Sequence, residues 1–82
     1  MEWPWKVNSR IEVEAFKECL DLCHNGYVLL FGARDGDNSW LKLRHRSNGR
    51  TLMVRINPNR YSIREGARLV KQRILPPSLV SD

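Results

Sequence analysis

Eighty-two residues with a 41% apolar fraction are enough for one domain with a single core, and no stretch is repetitive or of low complexity. No apolar run reaches bilayer-spanning length, and Met1-Glu2-Trp3-Pro4-Trp5 lacks the layout of a signal peptide, so the expectation is a soluble, cytoplasmic protein with no membrane contact. The net charge of +5 is divided unevenly: residues 1–41 hold four basic and seven acidic residues, whereas Lys42 to Arg73 hold ten basic residues and one acidic one, Glu65. A one-sided positive field of this kind attracts polyanions, nucleic acid above all.

The predicted domain runs over 9–75, after an N-terminal segment 1–8 and before a C-terminal tail 76–82. Ser9 and Glu12 match a capping box, and Val13, Phe16, Leu20 and Cys23 recur at helical spacing until Asn25-Gly26 ends the pattern. Cys19 and Cys23 share a helical face, where cysteine behaves as a small hydrophobe. With no second ligand pair at zinc spacing, neither a disulfide nor a metal site is expected.

Tyr27 to Phe31 reads as a strand with both faces at least partly covered, and Arg34 to Ser39 as a loop. Trp40 to Arg46 and Arg50 to Ile56 alternate around Asn48-Gly49, the signature of a two-residue hairpin turn. Counting out from that turn pairs Leu43 with Val54 and Lys42 with Arg55. Leu41, Leu43, His45, Leu52, Val54 and Ile56 then share one face, and Trp40, Lys42, Arg44, Arg46, Thr51, Met53 and Arg55 share the other.

Asn57-Pro58-Asn59 breaks the strand, and Ser62 with Glu65 forms a second capping box. Ile63, Ala67, Val70 and Ile74 read as the buried stripe of a closing helix that Pro76-Pro77 stops, with Arg64, Arg68 and Lys71 on its outer side. The expected fold class is therefore α+β: a two-layer α-β-β-β-α domain, a three-stranded antiparallel sheet with both helices on one face.

This order resembles double-stranded-RNA-binding domains and the HicA toxins, small mRNA-cleaving proteins. From Glu14 to Leu75, Gly26-Tyr27 is similar to a Gly-Trp step of HicA sequences, His45 and Gly49-Arg50 to a His-Pro…Gly-Arg stretch, and Ser62 to Leu75 to the closing helix. The HicA likeness would imply a ribonuclease, but where those toxins carry Gly-Ser-His, with the histidine implied to be catalytic, this chain has Asn38-Ser39-Trp40. The Alu-RNA-binding subunits of the signal recognition particle are similar in layout alone and use the open sheet face for RNA.

The residues themselves point to binding more than to catalysis. Only His24 and His45 are available as general bases, and the register turns His45 toward the core side; no catalytic residue and no cofactor is assigned. Arginines make paired hydrogen bonds to phosphates, and Trp40 offers a stacking surface. The candidate nucleic-acid-binding residues are Trp40, Lys42, Arg44, Arg46, Arg50, Arg55, Arg60, Arg64, Arg68 and Lys71. They fall into two sets, a sheet face of Lys42, Arg44, Arg46 and Arg55 and a helix edge of Arg60, Arg64, Arg68 and Lys71. Structured RNA is the expected partner, with DNA as the other polyanion. The competing class is a protein-interaction module, a dimeric adaptor or phage-type inhibitor that joins a second copy or an acidic protein.

Overall fold

The structure, a computed structural model, describes residues 3–7 and 9–76. Helix α1 spans Arg10–His24, and the rest of the domain is strand: β1 Tyr27–Asp35, β2 Asn38–His45, β3 Thr51–Asn57, β4 Arg60–Glu65 and β5 Arg68–Ile74. The strands form one antiparallel sheet in the order β1-β2-β3-β4-β5, each joined to its neighbour by a short turn. The domain is α+β, but a three-stranded sheet with two helices is not what forms. The expected tail from Ser78 to Asp82 lies outside the described residues.

The closing helix expected after Ser62 is instead the β4–β5 hairpin, with Glu65 opposite Arg68 across the two-residue turn Gly66-Ala67. Gly66 has φ +59 and among the described residues no non-glycine has positive φ, which matches a type II′ turn with glycine at its first central position. The sequence signal for this hairpin is the Gly66-Ala67 step that follows the alternating segment Arg60 to Arg64. In the preceding strand, Tyr61 and Ile63 are buried while Arg60 and Arg64 are exposed, a period of two. The supposed helical stripe is not buried beyond Ile63, since Val70 and Ile74 are 46% and 56% exposed. Gly66→Val should force a β-branched residue into the left-handed region and cost about 1–3 kcal/mol, read as a lower urea midpoint.

The β2–β3 register also differs from the expected one. Leu43 opposes Leu52 and Lys42 opposes Met53, a shift of two residues. The loop is Arg46 to Gly49: His45 N–H donates to Arg50 O at 2.8 Å, and Arg50 N–H to Asn48 Oδ1 at 2.9 Å. A type I′ turn needs positive φ at both central residues, and only Gly49 (φ +73) has it. Because the slip is two residues rather than one, the face assignment of both strands survives.

β1 is longer than expected. It runs through the presumed loop to Asp35, which opposes Asn38 across the Gly36-Asp37 turn. Tyr27, Val28 and Leu29 are half-buried, while Leu30 and Phe31 are 46% and 49% exposed, so the partial cover expected of this strand ends at Leu29. Both edge strands carry a bulge, at Leu30 in β1 and at Val70 in β5, which twists the free edges out of line for pairing with another strand.

The core lies between α1 and the inward face of the sheet, where Leu41, Leu43, Leu52, Val54, Ile56, Tyr61 and Ile63 are buried with Ile11, Ala15 and Cys19. The helix buries Ile11, Ala15 and Cys19, one turn apart; of the expected Val13, Phe16, Leu20 and Cys23 stripe, Cys23 packs half-buried against the core and Val13 is exposed. Small residues at Ala15 and Cys19 let the helix approach the sheet closely, and Phe16 turns sideways to meet Trp3 edge-on at 5.0 Å. The N-terminal segment joins this core: Trp5 Nε1 donates to Glu12 Oε2 at 2.5 Å, and the Arg34 guanidinium sits 5.5 Å over the Trp5 ring. Ser9 caps the helix, accepting from Glu12 N–H at 3.3 Å.

Both cysteines are free thiols. Burial pushes the Cys19 thiol up to about 12, with Cys23 and Glu18 adding to the rise. Burial also raises Tyr61 to about 12, helped by the Glu18 carboxylate that accepts its hydroxyl at 3.2 Å. Both groups hold their protons more tightly folded than unfolded. Their contribution to stability is therefore complete below the unfolded values, about 8.5 for Cys and 10 for Tyr, and is lost as pH rises toward 12. Denaturation midpoints should fall between pH 9 and 12, less steeply in Tyr61→Phe, and Cys19 should resist thiol reagents at pH 8 until the chain unfolds.

Candidate functional site

No described element covers the side of the sheet away from α1, and the observed register sets out what lies on it. One cross-strand row reads Phe31, Lys42, Met53, Arg64, Leu69, and the next reads Ala33, Trp40, Arg55, Ser62, Gln72. Arg44 stands beyond the first row opposite Thr51, and Arg60 beyond the second opposite Asn57. Five cations thus share one face. Strand spacing and rise place Arg44 and Arg60 roughly 20 Å apart, at the ends of a diagonal band through Lys42, Arg64 and Arg55.

Six of the other cations are engaged, while Lys6, Lys17 and Arg46 have no ion pair among the described residues. Among the described residues, Arg10 and Arg73 reach Glu14, Arg34 reaches Glu12, Lys71 pairs with Glu18, and Arg50 and Arg68 hold Glu65 at 3.4 and 2.8 Å. The hydrogen bond from Arg68 holds the Glu65 carboxyl below its usual range, against some loss of hydration and with the Arg50 charge adding. All six pairs lie on the helix side or around the rim. Lys42, Arg44, Arg55, Arg60 and Arg64 have no ion-pair partner among the described residues; Arg64 donates to Ala67 O at 3.3 Å. Glu12, Glu14, Glu18 and Glu65 thus offset six cations on the helix side and rim, whereas the five cations of the open face have no carboxylate beside them among the described residues.

This sorting redraws the two expected sets. Arg60 and Arg64, assigned to a helix edge, stand on β4 beside Arg55 and join the sheet face. Arg68 and Lys71, assigned to the same edge, project to the other side into ion pairs. Arg46 lies in the β2–β3 loop, and Arg50 faces Glu65 on the helix side. Trp40 is half-buried between Ala33 and Arg55 on the open face, away from the Trp3-Pro4-Trp5 segment.

Between β2 and β5 the open face dips into a depression of about 140 Å³ lined by Asn38, Trp40, Arg55, Arg60, Ser62 and Gln72, among others. Ser62 and Gln72 were missed because both were placed on a helix. The alternation of Arg60, Ser62 and Arg64 with Tyr61 and Ile63 carried the signal for Ser62.

His45 is held on both ring nitrogens. Nε2 meets Asn25 O at 2.9 Å, Nδ1 accepts from Ser47 N–H at 3.1 Å, and the ring packs edge-on against Tyr27. That arrangement ties the β2–β3 loop to the end of α1 and leaves neither nitrogen directed at a ligand. Among the described residues no three His, Cys, Asp or Glu side chains converge as metal ligands do, and no helix is long and apolar enough to cross a membrane.

No family model, curated protein or solved structure matches the chain. The likeness to HicA toxins and double-stranded-RNA-binding domains rested chiefly on an α-β-β-β-α order, and the observed order is α-β-β-β-β-β.

Proposed function

We propose that this chain is an RNA-binding protein that holds the RNA phosphate backbone on its open sheet face through Lys42, Arg44, Arg55, Arg60 and Arg64. The observation that carries this reading is the sorting of charge: six helix-side and rim cations, Arg10, Arg34, Arg50, Arg68, Lys71 and Arg73, are paired with carboxylates, while these five lie together on one face with no ion-pair partner among the described residues. Unpaired arginines on a rigid sheet suit phosphate oxygens, which accept their planar donors in pairs. A second copy docked on the same face would set cation against cation in a partly desolvated interface, which disfavours self-association there. A cytoplasmic location fits such a partner.

The test is titration of a fluorescent RNA hairpin and a DNA duplex of matched sequence, each at 50 and 200 mM salt. Saturable binding that prefers RNA and weakens by about 50- to 500-fold between the two salts is expected for four or five neutralised phosphates through the counterion release they cause. A lack of binding at 50 mM would exclude the reading and direct attention to an acidic protein partner.

A further inference from the structure

We propose that the depression on the open face seats one unpaired nucleobase, with Trp40 as its stacking surface, Ser62 and Gln72 hydrogen-bonded to its edge, and Arg55 and Arg60 on the neighbouring phosphates. The inference rests on the RNA-binding reading above and narrows its ligand to unpaired RNA, either a single strand or the loop of a folded one.

Three observations carry it. The first is placement: Trp40, Arg55, Ser62 and Gln72 form one continuous cross-strand row over β2 to β5, so an aromatic ring and a carboxamide flank a cation and a hydroxyl. The second is chemistry. A surface built only for phosphate needs cations, whereas this depression also contains the neutral donors and acceptors Asn38, Ser62 and Gln72. Their side chains make no hydrogen bond with another described residue and are free to meet a base edge. Carboxamides and hydroxyls are the groups that read base edges, and an aromatic ring beside them accepts a base by stacking.

The third observation is the layout of charge. The cations form one diagonal band from Arg44 to Arg60. A single band follows one sugar-phosphate strand. In an A-form duplex the bases are stacked inside and the deep groove admits no side chain, so a base could not reach the depression unless it were unpaired.

The experiment uses the full chain with a ten-nucleotide single-stranded RNA carrying one 2-aminopurine, a fluorophore quenched by stacking, and the same sequence as a duplex. The single strand should bind at least 10-fold more tightly than the duplex, with its fluorescence quenched on binding. Trp40→Ala should weaken the single strand by roughly 5- to 150-fold and remove the added quenching. Gln72→Ala, an exposed position, should reduce the difference between adenine and uracil oligonucleotides while leaving the salt slope unchanged. Trp40→Leu keeps apolar bulk and serves if the alanine variant unfolds. Equal binding of duplex and single strand, or native-like variants with unaltered affinity, quenching and base preference, would overturn the base site while leaving phosphate binding in place. Loss of all RNA binding by the unmodified protein would overturn the reading beneath it.

Discussion

Arg55→Glu with Arg64→Glu is expected to weaken RNA affinity about 100-fold at 0.1 M salt and to lower the salt slope by about two. Each arginine is assigned a phosphate, and a charge-assisted hydrogen bond contributes roughly 1.5–3 kcal/mol. The two residues stand on adjacent strands of the open face, Arg55 opposite Ser62 and Arg64 opposite Met53, without ion-pair partners among the described residues. The control is Arg68→Glu with Lys71→Glu, which changes the net charge by the same amount on the other side of the sheet. Those two side chains are already paired with Glu65 and Glu18 near the surface, so their reversal should lower stability only slightly and change RNA affinity only a few-fold. Comparable losses in both double variants, measured by anisotropy titration over a salt series, would mean that overall charge rather than the open face attracts RNA.

Leu43→Ala is expected to destabilise the domain by about 2–5 kcal/mol. Leu43 is fully buried in β2, in register with Leu29 and Leu52 and beneath α1, so truncation leaves a cavity that a strand paired with a neighbour along each edge cannot close. Stabilities of about 0.05–0.15 kcal/mol per residue would make this loss a large part of the total for a domain of this size. Urea denaturation followed by circular dichroism measures it, and Met53→Ala, one row away on the open face, should cost less than half as much. Similar costs for the two would show that the helix does not cover the face to which Leu43 is assigned.

The face assignment of β2 and β3 was legible in the sequence because period two is set by backbone geometry and survives a slip of two residues. The register was not legible. Asn48-Gly49 is compatible both with a two-residue turn and with the C-terminal half of a four-residue loop, and the choice depends on backbone angles that tertiary contacts set. One of those contacts is the anchoring of His45 to Asn25 and Ser47. Residues 62–75 were misread for a related reason. Ile63, Ala67, Val70 and Ile74 fit a helix, while Tyr61 and Ile63 around Arg60, Ser62 and Arg64 fit a strand. Local propensity does not separate these when a glycine lies between the two halves.

By itself, the sequence determined the capped first helix, the alternating cationic and apolar strands, and the division of charge between an acidic first half and a basic remainder. These follow from local periodicity and composition, which need no partner to be read. The tertiary structure alone decided which cations are free to bind. Arg60 and Arg64 reach the open face because β4 pairs with β3, and Arg50, Arg68, Lys71 and Arg73 are drawn into ion pairs because the fold brings Glu14, Glu18 and Glu65 beside them. Those carboxylates lie between 3 and 59 positions away along the chain. Except for the Glu65–Arg68 pair across the β4–β5 turn, the couplings cross elements, and no local pattern encodes them.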